Sequence, residues 1–455
     1  MKNLFLLAIS LNLCAICLAQ NPIIQNKFTA DPAPFVYHDT VFLYTSHDED
    51  DAPVGMGGFR MKDWLCYTST DMVNWTDHGR IASLKNFKWA DKTKSGWGGM
   101  DNGAWAPQCI ERNGKFYLYC PVQGRGIGVL VADNPLGPFT DPLGKPIIGD
   151  KYDSIDPTVF IDDGQAYLYW GNPNLWYVKL NEDMMSYTGE PIKDKSFAKV
   201  KDRDDPYHYQ EGPWAYKRNG HYYMAYASTC CPEGIGYAMS NSPEGPWEYK
   251  GYIMRPNSKS SGNHPGIIDY KGKSYVFGFN YRLNFMLTDK HHERRSVCVE
   301  EFQYNADGTI PELPWWREEG ITQVASLNPY IRTEAETIAW SSGVETVRDS
   351  STGGIYVTDI SNGDYIKVKG ADFGKGAISF EAQIASVNGG AMEVRLDSLN
   401  GPLAGSLSIK STGKATSWKA YSAKLRKIDG VHDIFFVFKG KQDELFNFDW
   451  WKFTH

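Results

Sequence analysis

Three carboxylates and a histidine stand in short proline- and glycine-rich phrases: Asp31 in Thr29-Ala30-Asp31-Pro32, Asp156 in Ser154-Ile155-Asp156-Pro157-Thr158, Glu211 in Gln210-Glu211-Gly212-Pro213, and His264 in Asn263-His264-Pro265-Gly266. Asp31 and Asp156 open the same Asp-Pro-x-x-Phe phrase, each 13 residues ahead of a tyrosine, Tyr44 and Tyr169. Glu211 and His264 each lie 15 residues ahead of an aromatic, Tyr226 and Phe279, and Trp105 lies 14 ahead of Tyr119. A lone Asp-Pro is ordinarily a turn cap. Three acids and a histidine at matched register need another reason, because like charges gathered at one opening repel and lose solvation. Such a set is kept where chemistry, a ligand or a metal uses it.

The elements that position these residues repeat. Five copies of one phrase, a turn followed by alternating aromatic and aliphatic residues, run over His38–Tyr44, Asn113–Tyr119, Asp163–Tyr169, Asn219–Tyr226 and Lys271–Phe279. Each reads as a hairpin turn entering a strand. A second phrase, strand then turn then strand, follows most copies, as in Ala132–Phe139 and Ser240–Trp247, with a degenerate form at Leu180–Tyr187. The closing aromatics lie 75, 50, 57 and 53 residues apart, the length of a four-stranded blade with its loops. The pattern predicts an all-β, five-bladed β-propeller, since a two-sheet sandwich has no reason to repeat one phrase five times. The acids, Trp105 and His264 then begin innermost strands and turn toward the axis. After Pro311-Glu312-Leu313-Pro314 the repeat fades, and short alternating strands such as Tyr365–Val368, Ala377–Ala382 and Ile434–Phe438 predict a second domain, a jelly-roll β-sandwich. The expected divisions are a signal peptide over 1–20, the propeller over 21–327 and the sandwich over 331–455.

Composition agrees with this reading. At 455 residues the chain exceeds the size at which single cores split, and 42% hydrophobic with 22% charged residues is a globular balance. The 27 Tyr, 22 Phe and 15 Trp favour strands and carbohydrate-stacking surfaces. A net charge of −7 without a basic run excludes nucleic acid as an expected partner and favours a neutral or weakly charged ligand. Met1–Gln20, with Lys2, an apolar run from Leu4 to Leu13, and small residues Cys17 and Ala19, reads as a secretory signal, giving a secreted or periplasmic protein. No later segment is apolar enough for a membrane span, and nothing points to an obligate protein partner. Of the six cysteines beyond that segment, Cys66, Cys109, Cys120, Cys230, Cys231 and Cys298, the spacing fits no zinc pattern. Buried thiols with at most one bridge are expected.

The four site motifs, in order and at blade-scale spacing, resemble glycoside hydrolase family 43 over about Asn21–Leu327. The resemblance implies a propeller with Asp31 as general base, Glu211 as general acid, and Asp156 as the group that orients the acid and tunes its proton affinity. It implies inversion, in which base and acid stand roughly 6.5–9.5 Å apart with a water between. It also implies an axial calcium (Ca2+) ion with mostly water ligands beside His264, an unusual ligand for a hard cation. Arg282, in Phe279-Asn280-Tyr281-Arg282, matches an arginine that reaches the sugar hydroxyls, a task suited to its fixed fork. Trp105, with Phe87 or Trp89 on the preceding loop, is expected to wall the C–H face of a pentose.

The C-terminal region resembles family 6 carbohydrate-binding modules through Thr333-Glu334-Ala335-Glu336, Ser361-Asn362-Gly363-Asp364-Tyr365, Ala371-Asp372-Phe373-Gly374 and Phe446-Asn447-Phe448-Asp449-Trp450. Glu334, Glu336 and Asp449 match the positions that hold a structural calcium there. The sugar cleft departs from the pattern: Asp359 stands where a stacking Tyr is expected, and Ala415 where the first Trp of a Trp-x-x-Trp pair is expected, ahead of Trp418. Asn447 remains. The module is therefore expected to be a structural partner of the catalytic domain.

The leading expectation is an exo-acting, inverting glycosidase that releases xylose, arabinofuranose or both from pentose-containing oligosaccharides of xylan and arabinoxylan. An endo-arabinanase, with an open groove, and a non-catalytic sugar-binding propeller are the alternatives. The loop Ser46–Lys62 is long enough to help close one side of a pocket.

Overall fold

The computed structural model of the protein describes residues 20–50, 58–92, 102–200, 202–258, 260–349 and 353–455. The signal segment, apart from Gln20, and the middle of the Ser46–Lys62 loop lie outside these residues. The chain divides into two compact units, one of Phe28–Cys66 and Arg80–Arg317, the other of the segment up to Lys27 with Tyr67–Gly79 and Glu318–His455.

The first unit is built on repeated antiparallel sheets. Blade one runs β1 (Thr29–Tyr37), β2 (Thr40–His47), β3 (Asp63–Ser69) and β4 (Trp75–Ser83). Blade two runs β5 (Gln108–Arg112), β6 (Lys115–Val122), β7 (Gly126–Ala132) and β8 (Ile148–Gly149). Blade three runs β9 (Thr158–Asp162), β10 (Gln165–Trp170), β11 (Trp176–Lys179) and β12 (Ile192–Lys193), and blade four β13 (Tyr209–Arg218), β14 (His221–Ser228), β15 (Gly234–Ser240) and β16 (Glu248–Met254). Blade five has three strands among the described residues, β17 (Gly266–Tyr270), β18 (Lys273–Asn280) and β19 (Ser296–Phe302). The first strands of the blades neighbour one another around the axis: β1 meets β5 and β17, and β9 meets β5 and β13. The Trp214 indole of β13 donates to the Ile267 carbonyl of β17 at 2.9 Å, joining blades four and five.

The repeated phrase has a structural reason. Its closing tyrosines Tyr44, Tyr119 and Tyr169 are fully buried, and each hydroxyl donates to a carbonyl in the turn of the next blade's second phrase: Pro135 at 2.7 Å, Met184 at 2.5 Å and Pro243 at 2.7 Å. A buried hydroxyl without a partner is costly, so the aromatic of one blade and the turn of the next specify each other. Blade five lacks the second phrase. Correspondingly Tyr226 of blade four leaves its hydroxyl unpartnered, and blade five closes on Phe279, which has none.

In the second unit two antiparallel sheets face each other. One carries, in order, Trp340–Ser342, Tyr365–Asp372, Val431–Lys439, Gly390–Leu396 and Leu403–Ile409; the other carries Glu345–Arg348, Ile355–Thr358, Asn447–Thr454, Ala377–Ala385 and Lys419–Ile428. Phe380, Phe436, Phe448, Trp451 and Phe453 fill the space between them. Tyr67–Gly79, the end of β3 and the start of β4, is grouped with this unit because Thr337 and Ile338 pair with Thr76 and Trp75, and because Lys27, Asp77 and Thr346 form one polar cluster. Sequence order alone does not show such a pairing.

Candidate active site

Asp31, Asp156, Glu211 and His264 meet at the axis. Asp31 and Asp156 both adopt left-handed backbone, with φ of 52° and 56°. That conformation is sparsely populated by residues with a side chain, and here it recurs in two blades at the same place, aiming both carboxylates into the centre. Gly212 has φ of 60°, and a Cβ there would lie 2.9 Å from the His264 ring, so glycine lets the imidazole approach Glu211.

His264 stands between the three acids: Nδ1 lies 3.6 Å from Asp31 Oδ1, and Nε2 lies 3.6 Å from both Asp156 Oδ2 and Glu211 Oε1. Burial alone would depress its proton affinity, but the charges of Asp156, Asp31 and Glu211 outweigh that and lift it to about 10. Asp156 is pushed up to about 8 by burial, opposed by His264 and reinforced by Glu211 and Asp31. The Gly212 N–H donates to Asp156 Oδ2 at 3.3 Å.

Asp31 has a dedicated counter-charge. Arg295 Nη1 donates to Asp31 Oδ1 at 2.8 Å, and Ser46 Oγ donates to Asp31 Oδ2 at 2.5 Å. The same guanidinium grips Asp48 through Nε and Nη2, each at 3.0 Å, and the Arg295 backbone N–H reaches Asp48 at 2.8 Å. All three side chains are buried. Glu211 is more accessible. Its Oε2 accepts from Asn172 Nδ2. A further buried carboxyl, Glu233, accepts from the Asn263 N–H at 2.7 Å and is lifted to about 8 by burial and by Glu211.

These groups open into a cavity of about 440 Å³ walled by Phe59, Trp105, Met61, Gln123 and Ile155. Phe59 and Trp105 meet edge to face at 6.0 Å. The volume suits a monosaccharide-sized ligand with apolar sides and a charged floor. Beneath the acids a second cavity of about 20 Å³, bordered by Asp31, Gln108, Asp156, Trp214 and His264, has room for one water-sized species. Ligand atoms of Asp156, Glu211 and His264 lie within 4.8 Å of one another, a grouping able to coordinate a metal.

The sequence pattern of the glycosyl hydrolases family 43 matches residues 19–310, and that of the family 6 carbohydrate binding module matches residues 334–455. The chain belongs to glycosyl hydrolase family 43. It is 36% identical, over 95% of its length and 92% of the relative's, to an arabinoxylan arabinofuranohydrolase of Bacillus subtilis. It is 30% identical to a xylosidase/arabinosidase of Bacteroides ovatus over 63% of this chain and 95% of that one. The crystal structure of a family 43 arabinoxylan arabinofuranohydrolase from Bacillus subtilis with cellotetraose superposes with a TM-score of 0.83 at 34% identity, covering 97% of this chain and 99% of the other. The protein is thus a glycosidase that cleaves O-glycosidic bonds with inversion.

Within this family 43 site, Trp105 lines the cavity as expected from its register. Phe87 does not. It is 1% exposed, packed on Trp64 and Trp89 and closed over by Gly128, so its ring fills core space and Phe59 supplies the second apolar wall. Arg282 opens the short helix Arg282–Leu287 and is not among the cavity's lining residues; the guanidinium that lines it is that of Arg295. Arg295 immediately precedes β19, the last strand of blade five, where no repeated phrase marks it. Asp48, Asn172 and Glu233 were also outside the sequence signal, since each sits on a loop that differs from blade to blade. Cys230 and Cys231 form a disulfide, and Cys66, Cys109, Cys120 and Cys298 are buried thiols.

The C-terminal acids are arranged differently. Glu334 is bonded by the Arg332 guanidinium at 2.9 Å through both Nε and Nη2, Asp449 lies 3.9 Å from it, and Glu336 is buried with Oε2 lacking any partner. Burial, with the charges of Glu334, Asp77 and Asp449, lifts Glu336 to about 9. Asp359 and Ala415 are exposed, Trp418 packs edge to face on Tyr356 at 5.2 Å, and Asn447 spends its amide on the Ala415 carbonyl and Thr358 hydroxyl.

Proposed function

We propose that the protein removes terminal arabinofuranosyl or xylosyl units from arabinoxylan-derived chains, with Asp31 as base, Glu211 as acid and Asp156 as the group that orients the acid. The observation that carries this reading is the asymmetry of the carboxyls. Asp31 is paired with the Arg295 guanidinium and accepts from the Ser46 hydroxyl. Glu211 has no arginine partner; it faces two carboxyls, Asp156 and Glu233, with the His264 imidazole 3.6 Å from its Oε1, and an open cavity. A glycosidase needs this division, one ionised carboxylate to draw a proton from water and one protonated carboxyl to release its proton to the leaving oxygen. Inversion follows when water attacks the anomeric carbon opposite the departing oxygen. The apolar walls Trp105 and Phe59 suit the C–H faces of a pentose.

Initial rates on 4-nitrophenyl α-L-arabinofuranoside and 4-nitrophenyl β-D-xyloside, measured side by side with arabinoxylan as polymer, test this. Release of arabinose from arabinoxylan is expected to dominate. Internal cleavage of arabinan with no release of monosaccharide would sink the exo reading.

We take calcium as the ion for both places the sequence suggested; Asp156, Glu211 and His264 gather closely enough to hold a metal, while at the second place Glu334 would have to leave Arg332 to join Glu336 and Asp449. The small cavity beside His264 is bordered also by Asp31, Gln108 and Asp156, so an ion there would act through its charge on the acids. The unpartnered Glu336 oxygen is what a bound cation would satisfy, together with Glu334 and Asp449. A pH dependence follows. Glu336 binds its proton more tightly in the folded state, at about 9, than in an unfolded chain, near 4.5. Folding stability is therefore full below the unfolded value and falls as pH rises toward 9. Melting of EGTA-treated protein should drop between pH 5 and 9, and calcium should raise the melting temperature most at the alkaline end. Equal melting curves with and without calcium at pH 8.5 would remove the ion from this site.

We place the mature protein outside the cytoplasm, on the strength of the charged start and apolar run of Met1–Gln20, and take the C-terminal module as a structural partner, on the strength of its missing stacking rings.

A further inference from the structure

The hydrogen bonds that end on Glu211 form a chain with a fixed direction. Arg203 Nη2 donates to Gln210 Oε1 at 3.4 Å, and His208 Nε2 lies 3.3 Å from the same oxygen. Gln210 Nε2 donates to Asn172 Oδ1 at 3.1 Å, and Asn172 Nδ2 donates to Glu211 Oε2. A guanidinium is only a donor, so Gln210 must present its oxygen to Arg203 and its nitrogen to Asn172. Asn172 must then turn its own nitrogen to Glu211. The orientation of two amides is set from the far end.

The backbone is shaped to permit this. Neighbouring residues of a strand point to opposite faces, yet Gln210 and Glu211 both reach Asn172. The register of β13 against β14 shifts between Tyr209 and Glu211, and such a bulge re-aims a side chain. Asn172 is anchored through Gly171, whose N–H donates to the Ile155 carbonyl at 2.9 Å and whose carbonyl accepts from the Tyr209 hydroxyl at 2.8 Å. A Cβ on Gly171 would lie 1.9 Å from the Asn174 carbonyl oxygen, so the turn admits only glycine. These anchors hold the amide beside the acid on two sides.

We infer that Asn172, oriented by Gln210, is a positioning residue for proton delivery: its N–H, at hydrogen-bond distance, fixes Glu211 Oε2 as acceptor, leaves Oε1, from which His264 Nε2 stands off at 3.6 Å, to carry the proton, and strengthens its bond as Glu211 becomes charged. In the step, the Oε1–H proton passes to the glycosidic oxygen while that oxygen takes the electron pair of the breaking C–O bond. Water adds to the anomeric carbon and yields its proton to Asp31. Glu211 changes from neutral to anionic across this step, and a hydrogen bond to an ionised acceptor is roughly twice as strong as one to a neutral acceptor. A donor already aimed at Oε2 therefore favours the transition state over the ground state. The inference rests on Glu211 being the acid, as proposed above.

The test uses the full chain and a series of aryl α-L-arabinofuranosides whose phenols differ in acidity: phenyl, 4-nitrophenyl and 2,4-dinitrophenyl. Gln210→Met keeps the bulk and removes the amide that orients Asn172. Asn172→Leu removes the donor itself. Both are expected to lower kcat on the phenyl substrate by about 10–100-fold, part of the full contribution of acid catalysis, and on the dinitrophenyl substrate by less than about threefold, with KM changed little. Equal losses across the series, or none, would overturn the inference, because a merely structural role slows all leaving groups alike. Glu211→Gln in the same series separates the two claims. If it shows no leaving-group dependence, the assignment of the acid fails. If it does and the other two variants do not, only the positioning role fails. Should Gln210→Met unfold by circular dichroism, Gln210→Glu, which keeps the shape and replaces the donor to Asn172 by a carboxylate oxygen, is measured in its place under the same criterion; should Asn172→Leu unfold, Asn172→Asp, which does the same toward Glu211, takes its place.

Discussion

Asp31→Asn is expected to reduce turnover on every substrate by about 10²–10⁴-fold, the usual contribution of a general base, while circular dichroism and melting stay close to the parent. The substitution keeps the shape of the side chain and its reach to Ser46, but the carboxamide cannot take a proton from water. Arg295 keeps Asp48 as its partner through three hydrogen bonds, so no buried charge is stranded. Glu211→Gln is expected to lose as much on a natural glycoside and only about tenfold or less with a dinitrophenyl leaving group, which departs with little protonation. The contrast between the two variants is the measurement that matters. A base is needed whatever the leaving group; an acid is needed in proportion to its basicity. If Asp31→Asn turned over at a near-normal rate, the base would have to be sought elsewhere.

What the sequence made legible here is what the fold repeats. Tyr44, Tyr119 and Tyr169 recur because each must hand its buried hydroxyl to the next blade's turn, and that obligation shows as a phrase spaced at blade length. Asp31 and Asp156 are visible because their left-handed backbone and following proline belong to the same repeat. Glu211 and His264 share only the register, and they too arrive at the axis. Arg295, Asp48, Asn172 and Glu233 carry no such mark. Each is recruited from a loop or from beside a strand end peculiar to its blade; Arg295 reaches Asp31 across 264 positions of sequence and Asn172 bonds Glu211, while Asp48 grips Arg295 and Glu233 acts on Glu211 through its charge. Phe87 shows the converse failure. An aromatic ahead of Trp105 fits a sugar-stacking wall by residue type, yet the same ring fits the void over Gly128, where a Cβ would lie 2.4 Å from it. Residue type cannot separate a wall from a filler, because both require the same apolar bulk.

The buried pairing around Arg295 carries the other large expected effect. Its guanidinium contacts two carboxylates at once, Asp31 through Nη1 and Asp48 through Nε and Nη2, and also donates to the Gly262 carbonyl at 3.1 Å. Burial would lower its proton affinity, but Asp31 and Asp48 raise it far above the ordinary value, so the charge is permanent. Breaking a buried pair strands its partners, and Arg295→Met leaves Asp48 buried without its cation and Asp31 with only His264, 3.6 Å away, to offset its charge. A loss of about 3–5 kcal/mol in unfolding free energy is expected, read from chemical denaturation. Arg295→Lys keeps the charge but not the fork, since an ammonium cannot bond two carboxylates in this geometry. It should retain more stability than Arg295→Met and still lose about 10²-fold in turnover, on the order of a misplaced catalytic group. The double variant Arg295→Met with Asp48→Asn separates the two roles. Removing one stranded carboxylate should recover stability, while turnover stays low, because Asp31 still lacks the guanidinium that holds it toward the water. Recovery of both together would mean that Arg295 serves the fold alone and that Asp31 is positioned by Ser46 without it.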